Sequence, residues 1–249
     1  MVISLEGDAI RHAVGHAQYG VGVKGALEKL HMPTREAVAS VPDATVLLLD
    51  AQGAFSATNR TAALEEAARV SPRLARAAAV WLRRQSAGVL HLANGDARFL
   101  RSTRGLEQGC AGSPALFALA ATRVTNALQG FFRSRTPAGA PPCGHVLARL
   151  DDLTIVTSRV HVNEAMACAC TALLDIGLVV NAAKSRCWTV YGGAPPVGVT
   201  HDVWMREPDA RGVVVCEAPL GELAADVDTD AITAPMGEAV FVGQFLENT

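Results

Sequence analysis

Asp151 and Asp152 stand side by side between two short apolar runs. Upstream, His145 to Leu150 alternates, with Val146 and Ala148 on one face; downstream, Leu153-Thr154-Ile155-Val156-Thr157 is rich in β-branched residues. The pattern predicts strand, tight turn, strand, with the Asp pair at or beside the turn. Two carboxylates at a hairpin tip suit a hard divalent cation, which takes carboxylate oxygens and keeps positions open for substrate phosphates. Asp is also a common turn residue, and an Asp-Asp surface turn needs no function. Partners must therefore come from elsewhere. Thr45-Val46-Leu47-Leu48-Leu49-Asp50 is a continuous apolar run closed by a carboxylate. Such a run predicts a central strand buried on both faces. Asp50 at its end is open to two readings, a site residue or a cap or turn residue. If Asp50 and Asp151 end neighbouring antiparallel strands, they could hold two Mg²⁺ ions about 3.5–4 Å apart, the clamp used for in-line phosphoryl displacement.

The elements that must position these groups follow from local signals. Residues 5 to 31 predict a helix, a Gly-rich break at Gln18-Tyr19-Gly20-Val21-Gly22, and a second helix. His12 and His16 are four apart, but no Glu stands beside His12, so the metalloprotease pattern is absent. Thr58-Asn59 predicts a cap for a helix from Arg60 to about Val70, and Ser71-Pro72 restarts it. Val89 to Leu100 predicts a hairpin around Asn94-Gly95. Gly105 to Pro114 is a Gly-studded loop, with Ser113 as expected N-cap and Pro114 as first helical residue of a long apolar-faced helix. No Gly-Lys-Ser/Thr closes that loop, so it is not a P-loop. Val160 to Ile176 predicts a helix ended by Gly177, Leu178 to Asn181 a short strand, and Cys187 to Tyr191 another. Val213 to Cys216 is an expected strand, and Glu238 to Leu246 an expected terminal helix.

At 249 residues the chain is one large domain or two small ones. Half the residues are hydrophobic but only 5% are aromatic, so Ala, Val and Leu must fill the core. The net charge of −2 does not announce a nucleic-acid binder, but its distribution is uneven. Arginines dominate from Arg69 to Arg104, and Asp226, Asp228 and Asp230 lie together near the end. The basic block reads either as a solvated face or as a surface for a phosphate backbone. The six cysteines form no CxxC pair, which argues against a zinc ribbon or disulfide framework and for a reducing compartment. No signal-peptide pattern and no membrane-length apolar run is present, so no membrane partner is expected.

From about Gln18 to Ser185 the chain resembles the reverse transcriptases, specifically the non-LTR retrotransposon type. Asp50 with Ala54-Phe55 is similar to the first palm motif, Asp-x-x-x-Ala-Phe. Gly105, Gln108, Gly109, Ser113, Pro114 and Phe117 fall in register with the second. Leu150-Asp151-Asp152 resembles the third, and Gly177-Leu178, Asn181 and Lys184-Ser185 the fourth. Gln18 to Gly22 resembles the segment that precedes the first motif. Any one match is cheap; four in order with ordinary spacings are hard to obtain by chance.

The resemblance implies an α+β fold, a polymerase palm-like antiparallel sheet with helices packed on one face. It divides the chain into a partial fingers or connecting segment (1–44), a palm (45–192) and a weakly defined C-terminal segment (193–249). It implies an RNA-directed DNA polymerase that extends a primer 3′-OH by two-metal nucleotidyl transfer. Asp50, Asp151 and Asp152 would be the catalytic and metal-binding residues, with two Mg²⁺ ions, or Mn²⁺ in their place. The Ala51 carbonyl would add a ligand. Phe55 would select deoxynucleotides by clashing with a 2′-hydroxyl. Gln108 and Gly109 would position template and nucleotide, and Lys184 would approach the triphosphate. The implied partners are an RNA template, a DNA primer and deoxynucleoside triphosphates, and the implied location is the nucleus. Two departures stand out: Arg149 replaces the usual aromatic two residues before Asp151, and Glu107 and Cys110-Ala111-Gly112 replace the usual second-motif residues. Little before Gln18 resembles the fingers strands of the family. The alternative reading is therefore a catalytically inactive palm remnant that at most binds nucleic acid.

Overall fold

The computed structural model describes residues 2–82, 86–190, 212–215 and 218–221. Two short N-terminal helices, α1 (Val2–Leu5) and α2 (Gly7–Val14), lead through the Gly-rich break to α3 (Ala26–Ser40). Then come β1 (Ala44–Leu49), α4 (Ala54–Ala57), α5 (Arg60–Val70), α6 (Pro72–Leu82), β2 (Ser86–His91) and β3 (Ala97–Ser102). The long helix α7 (Ser113–Arg135) precedes the hairpin β4 (Gly144–Arg149) and β5 (Asp152–Ser158). A single 3-10 turn leads into α8 (Val162–Asp175), followed by β6 (Arg186–Thr189), β7 (Gly212–Val215) and β8 (Ala218–Gly221).

Four strands form an antiparallel sheet in the order β4-β5-β1-β6. β1 is therefore central, as its unbroken apolar run requires. Leu47 and Leu49 pack into a core with α2, α5, α6, α7 and α8, while Val46 faces the other side with Leu30 and Ala37 of α3. The antiparallel sheet with its main helical layer on one face is the expected α+β fold. The second face is not bare, because α3 and the β7–β8 hairpin, through Val215 and Leu220, cover part of it. With few aromatics, the helical layer closes up on small residues: Ala63, Ala67, Ala118, Ala120, Ala165 and Ala169 are fully buried. Leu128 on α7 is fully buried too, and such a Leu cut to Ala costs about 2–5 kcal/mol. Arg123 ties three helices, bonding Glu65 and Glu66 of α5 and Asp175 of α8. Burial pushes the Cys187 thiol up to about 12, so this β6 cysteine is a neutral core residue rather than a nucleophile.

Local signals placed most boundaries. Asn59 accepts from the Thr61 N–H at 2.8 Å and caps α5; Ser71 Oγ accepts from Arg73 and Leu74 and starts α6. Gly177 at φ 81 ends the last turn of α8, with its N–H on the Leu174 carbonyl. The β2–β3 hairpin turns at Asn94-Gly95, where Gly95 has φ 89.

Two expectations need correction. Ser113 is not an N-cap: Gly112 holds that position, and buried Ser113 opens α7 without a side-chain cap bond. Tight turns bond Cys110 N–H to Glu107 and Ser113 N–H to Cys110, so helical geometry begins one residue early. Leu178 to Asn181 is not a strand; it makes one isolated bridge, Val180 with Ala51. β1 has already ended there, and Gly53 at φ 53 turns the chain into α4, leaving no straight partner for a ladder. The strand expected at Val213 to Cys216 is present as β7, one residue earlier. The terminal helix expected at Glu238 to Leu246 lies outside the described residues.

Candidate active site

Asp50 is the first residue beyond β1, and its backbone is held from two directions. Its N–H donates to Ser185 Oγ at 3.1 Å, and its carbonyl accepts from the Asn181 N–H at 2.7 Å. Ser185 is buried and in turn donates to the Asn181 carbonyl at 2.9 Å. Two residues on, Gln52 N–H bonds the Val179 carbonyl at 2.8 Å. The segment after α8 is thus stitched to the segment after β1, and that stitching brings Lys184 to Asp50.

Asp151 and Asp152 come from the β4–β5 turn. Leu150 has φ 55, so the chain reverses at Leu150-Asp151 and Asp152 is already the first residue of β5. β1 and β5 pair with Leu49 opposite Leu153. Continuing that register by one residue sets Asp50 opposite Asp152, on the same face of the sheet. Both line a cleft of about 310 Å³ together with Lys184, Arg186 and Val214. The structure therefore joins Asp50, Asp152 and Lys184 in one cleft, with half-buried Asp151 on the adjoining turn.

The charges in the cleft are mixed. Arg149 Nη1 lies 3.7 Å from Asp152 Oδ2, across the last register pair of the hairpin. The departure at position 149 thus puts a cation against one of the expected ligands. The carboxylates of Asp50 and Asp151 carry no hydrogen bond or ion pair among the described residues. No three His, Cys, Asp or Glu side chains converge as a metal cluster among the described residues. Mg²⁺ does not require one, because it is held through one or two carboxylates, with waters and substrate phosphates completing the octahedron. Unpartnered oxygen donors at Asp50 and Asp151, beside a cleft that carries Lys184 and Arg186, fit such an ion.

The Gly loop sits against α4. Gly105 N–H bonds the Thr58 carbonyl at 2.9 Å, and Leu106 N–H the Phe55 carbonyl at 2.7 Å. Gly105 has φ 82, and a Cβ there would collide with the Ser56 carbonyl oxygen, so glycine is required. Phe55 is half-buried, its ring stacked on Phe117 at 4.8 Å between centroids. Ala51 is buried, whereas Gln108 and Gly109 lie exposed at the loop's outer end and do not line the Asp50 cleft.

Three contributors were not singled out as site residues from sequence. Arg186 lines the cleft. Buried Arg60 pins the Gly loop, with Nε on the Gly105 carbonyl at 2.7 Å and Nη1 on the Ser102 carbonyl at 3.2 Å. Gln18 reaches the Asp-Asp turn itself, with its Oε1 2.8 Å from the Leu150 nitrogen. Arg60 and Gln18 bond to groups remote in sequence, and only the break around Gln18 left a trace in the pattern.

The sequence matches the family described as reverse transcriptase (RNA-dependent DNA polymerase) over residues 8–215. No curated protein matches it. Among solved structures, apo telomerase from Candida tropicalis superposes with a TM-score of 0.64 at 12% identity, covering 91% of this chain and 39% of that one. Telomerase of the same organism in complex with a TWJ fragment of telomeric RNA gives 0.58 at 12% identity, with 91% and 37% covered. Candida albicans telomerase in complex with the TWJ fragment of telomeric RNA gives 0.54 at 12% identity, with 74% and 34% covered. At these identities the likeness is one of fold, and this chain spans less than half the length of each.

Proposed function

The chain belongs to the reverse transcriptase (RNA-dependent DNA polymerase) family, and on that premise we infer that residues 45–192 are the palm of a retrotransposon-type RNA-directed DNA polymerase. The observation that carries this reading is the convergence of Asp50, Asp152 and Lys184 on one cleft at the end of the central strand. The reaction joins a primer 3′ oxygen to the α-phosphorus of a deoxynucleoside triphosphate and releases pyrophosphate. Asp50 and Asp151, supported by Asp152 and the Ala51 carbonyl, would hold Mg²⁺. When bound, the metal supplies charge stabilisation at the phosphoryl oxygens and a lowered pKa at the attacking hydroxyl.

The protein's own groups do the positioning. Lys184 and Arg186 set positive charge on the cleft wall, where a triphosphate needs it. Phe55, braced by Phe117, presents a ring that cannot easily yield to a ribose 2′-hydroxyl. Gln108 and Gly109 offer an exposed loop end to template and nucleotide. The exposed arginines of the hairpin, Arg98 and Arg101, suit the backbone of an RNA template.

A second reading, a palm remnant that binds nucleic acid without catalysis, is favoured by the Arg149–Asp152 contact. Primer extension on an RNA template with labelled deoxynucleotides and Mg²⁺ separates the two. Extension that disappears in Asp151→Ala supports the polymerase. A folded wild-type chain that retains RNA but extends nothing supports the remnant.

A further inference from the structure

The turn that carries Asp151 is held by a residue from the other end of the described fold. Gln18 is only 4% exposed. Its side-chain carbonyl accepts two hydrogen bonds, from the Leu150 N–H and the Gly20 N–H, both at 2.8 Å. Its own segment runs beside β4, an edge strand of the sheet. Gln18 bridges Ala148 in parallel, Tyr19 N–H bonds the Ala148 carbonyl at 2.7 Å, and Ala148 N–H bonds the Ala17 carbonyl at 2.6 Å.

Leu150 sits at φ 55, a backbone region that side chains other than Asn, Asp and Gly seldom adopt, and such a residue persists only where its surroundings over-determine it. The surroundings here do so. A Cβ added to Gly20 would lie 2.6 Å from Leu150 Cγ and 2.7 Å from the Leu150 nitrogen. Gly20 thus leaves just enough room for the left-handed turn, and Gln18 bonds its amide. Packing alone does not call for this amide. Gln18 Nε2 is buried without a partner among the described residues, a loss that an apolar side chain of the same length would avoid. The amide cannot be reversed either, since Nε2 would then face two N–H donors.

The geometry points to Gln18 as the positioning residue of the Asp-Asp turn: it locks Leu150, and through it sets the direction of Asp151 and the start of β5 at Asp152. The catalytic consequence rests on the polymerase reading; the lock itself does not.

The test compares Gln18→Met, which keeps length but removes the acceptor, with Gln18→Glu, which keeps an acceptor oxygen that two N–H donors favour. Amide hydrogen exchange on the full chain should be at least about 10-fold faster at Leu150 and Gly20 in the Met variant, as expected when each amide loses its hydrogen-bond acceptor. Amides inside β1 should keep their protection, and the Glu variant should restore the wild-type rates. In primer extension the Met variant should lose about 100-fold in kcat, the scale of a small misplacement of reacting groups, with an unchanged KM for deoxynucleotide and recovery in the Glu variant. Gly20→Ala attacks the same lock from its other side and should loosen the Leu150 amide in the same way, should the Met chain fold poorly. Wild-type protection at Leu150 in both Gln18→Met and Gly20→Ala overturns the lock, and a loosened turn with wild-type kcat overturns its positioning role. If the wild-type chain extends no primer, the polymerase reading falls while the exchange comparison still decides the lock.

Discussion

The cleft at the end of β1 and the β2–β3 hairpin are built on opposite plans. Around Asp50 nearly every backbone group is bonded to a segment distant in sequence: Ser185, Asn181 and Val179 on one side, the β5 register on the other. The hairpin pairs with itself, turns on its own Asn94-Gly95, and shows most of its described side chains to solvent. Phe99 is 79% exposed and Val89 50%. Buried register leaves a carboxylate one place to be, since a slip of one residue would send every side chain of β1 to the wrong face. The hairpin has no such constraint, and its sequence is free to serve a partner. The first region should therefore respond to substitution through geometry, and the second through charge.

Asp50→Asn gives the sharpest measure of the first region. It preserves shape and backbone bonds and removes a charge, so primer extension should fall on the order of 100- to 1000-fold with an unchanged circular dichroism spectrum. Retained activity would mean that the register places Asp50 for stability alone. Gly105→Ala comes next. The new Cβ would meet the Ser56 carbonyl at a positive φ, and the expected destabilisation is about 2–4 kcal/mol, read as a lowered urea midpoint. A change below about 0.5 kcal/mol would place this loop with the hairpin, as a surface feature.

The hairpin should behave in the other way. Arg98→Ala with Arg101→Ala should shift stability by less than about 0.5 kcal/mol. It should also flatten the salt dependence of single-stranded RNA binding by about 1.4 in log–log slope, the release of two counterions. An unaltered slope would make this a merely solvated face. Arg149→Ala carries the smallest expected effect. The Arg149–Asp152 contact is long and about half exposed, so stability should change by less than about 1 kcal/mol. With that cation gone, half-maximal extension should need less Mg²⁺, because Asp152 no longer divides its charge; a rise in the Mg²⁺ requirement would assign Arg149 to the substrate instead.

How much could be read in advance follows the range of the interactions. The caps at Asn59 and Ser71 and the turns at Asn94-Gly95 and Gly177 each depend on neighbours within a few residues, and each was legible. Ser113 misled because a tight loop ahead of it moved the helix start. Leu178 to Asn181 misled because strand composition does not supply a straight neighbour. Gln18 could not be assigned a role from spacing, since the amide it holds lies 132 residues away.

By itself the sequence determined most of the described elements, the central place of β1 and the residue types a phosphoryl-transfer site would need, because periodicity and turn chemistry act locally along the chain. The tertiary structure alone decided that Asp50 faces Asp152, that Arg149 spends its charge on Asp152, and that Gln18 rather than the turn's own residues locks Leu150. Those facts depend on sheet register and on hydrogen bonds between remote segments, which no local pattern encodes.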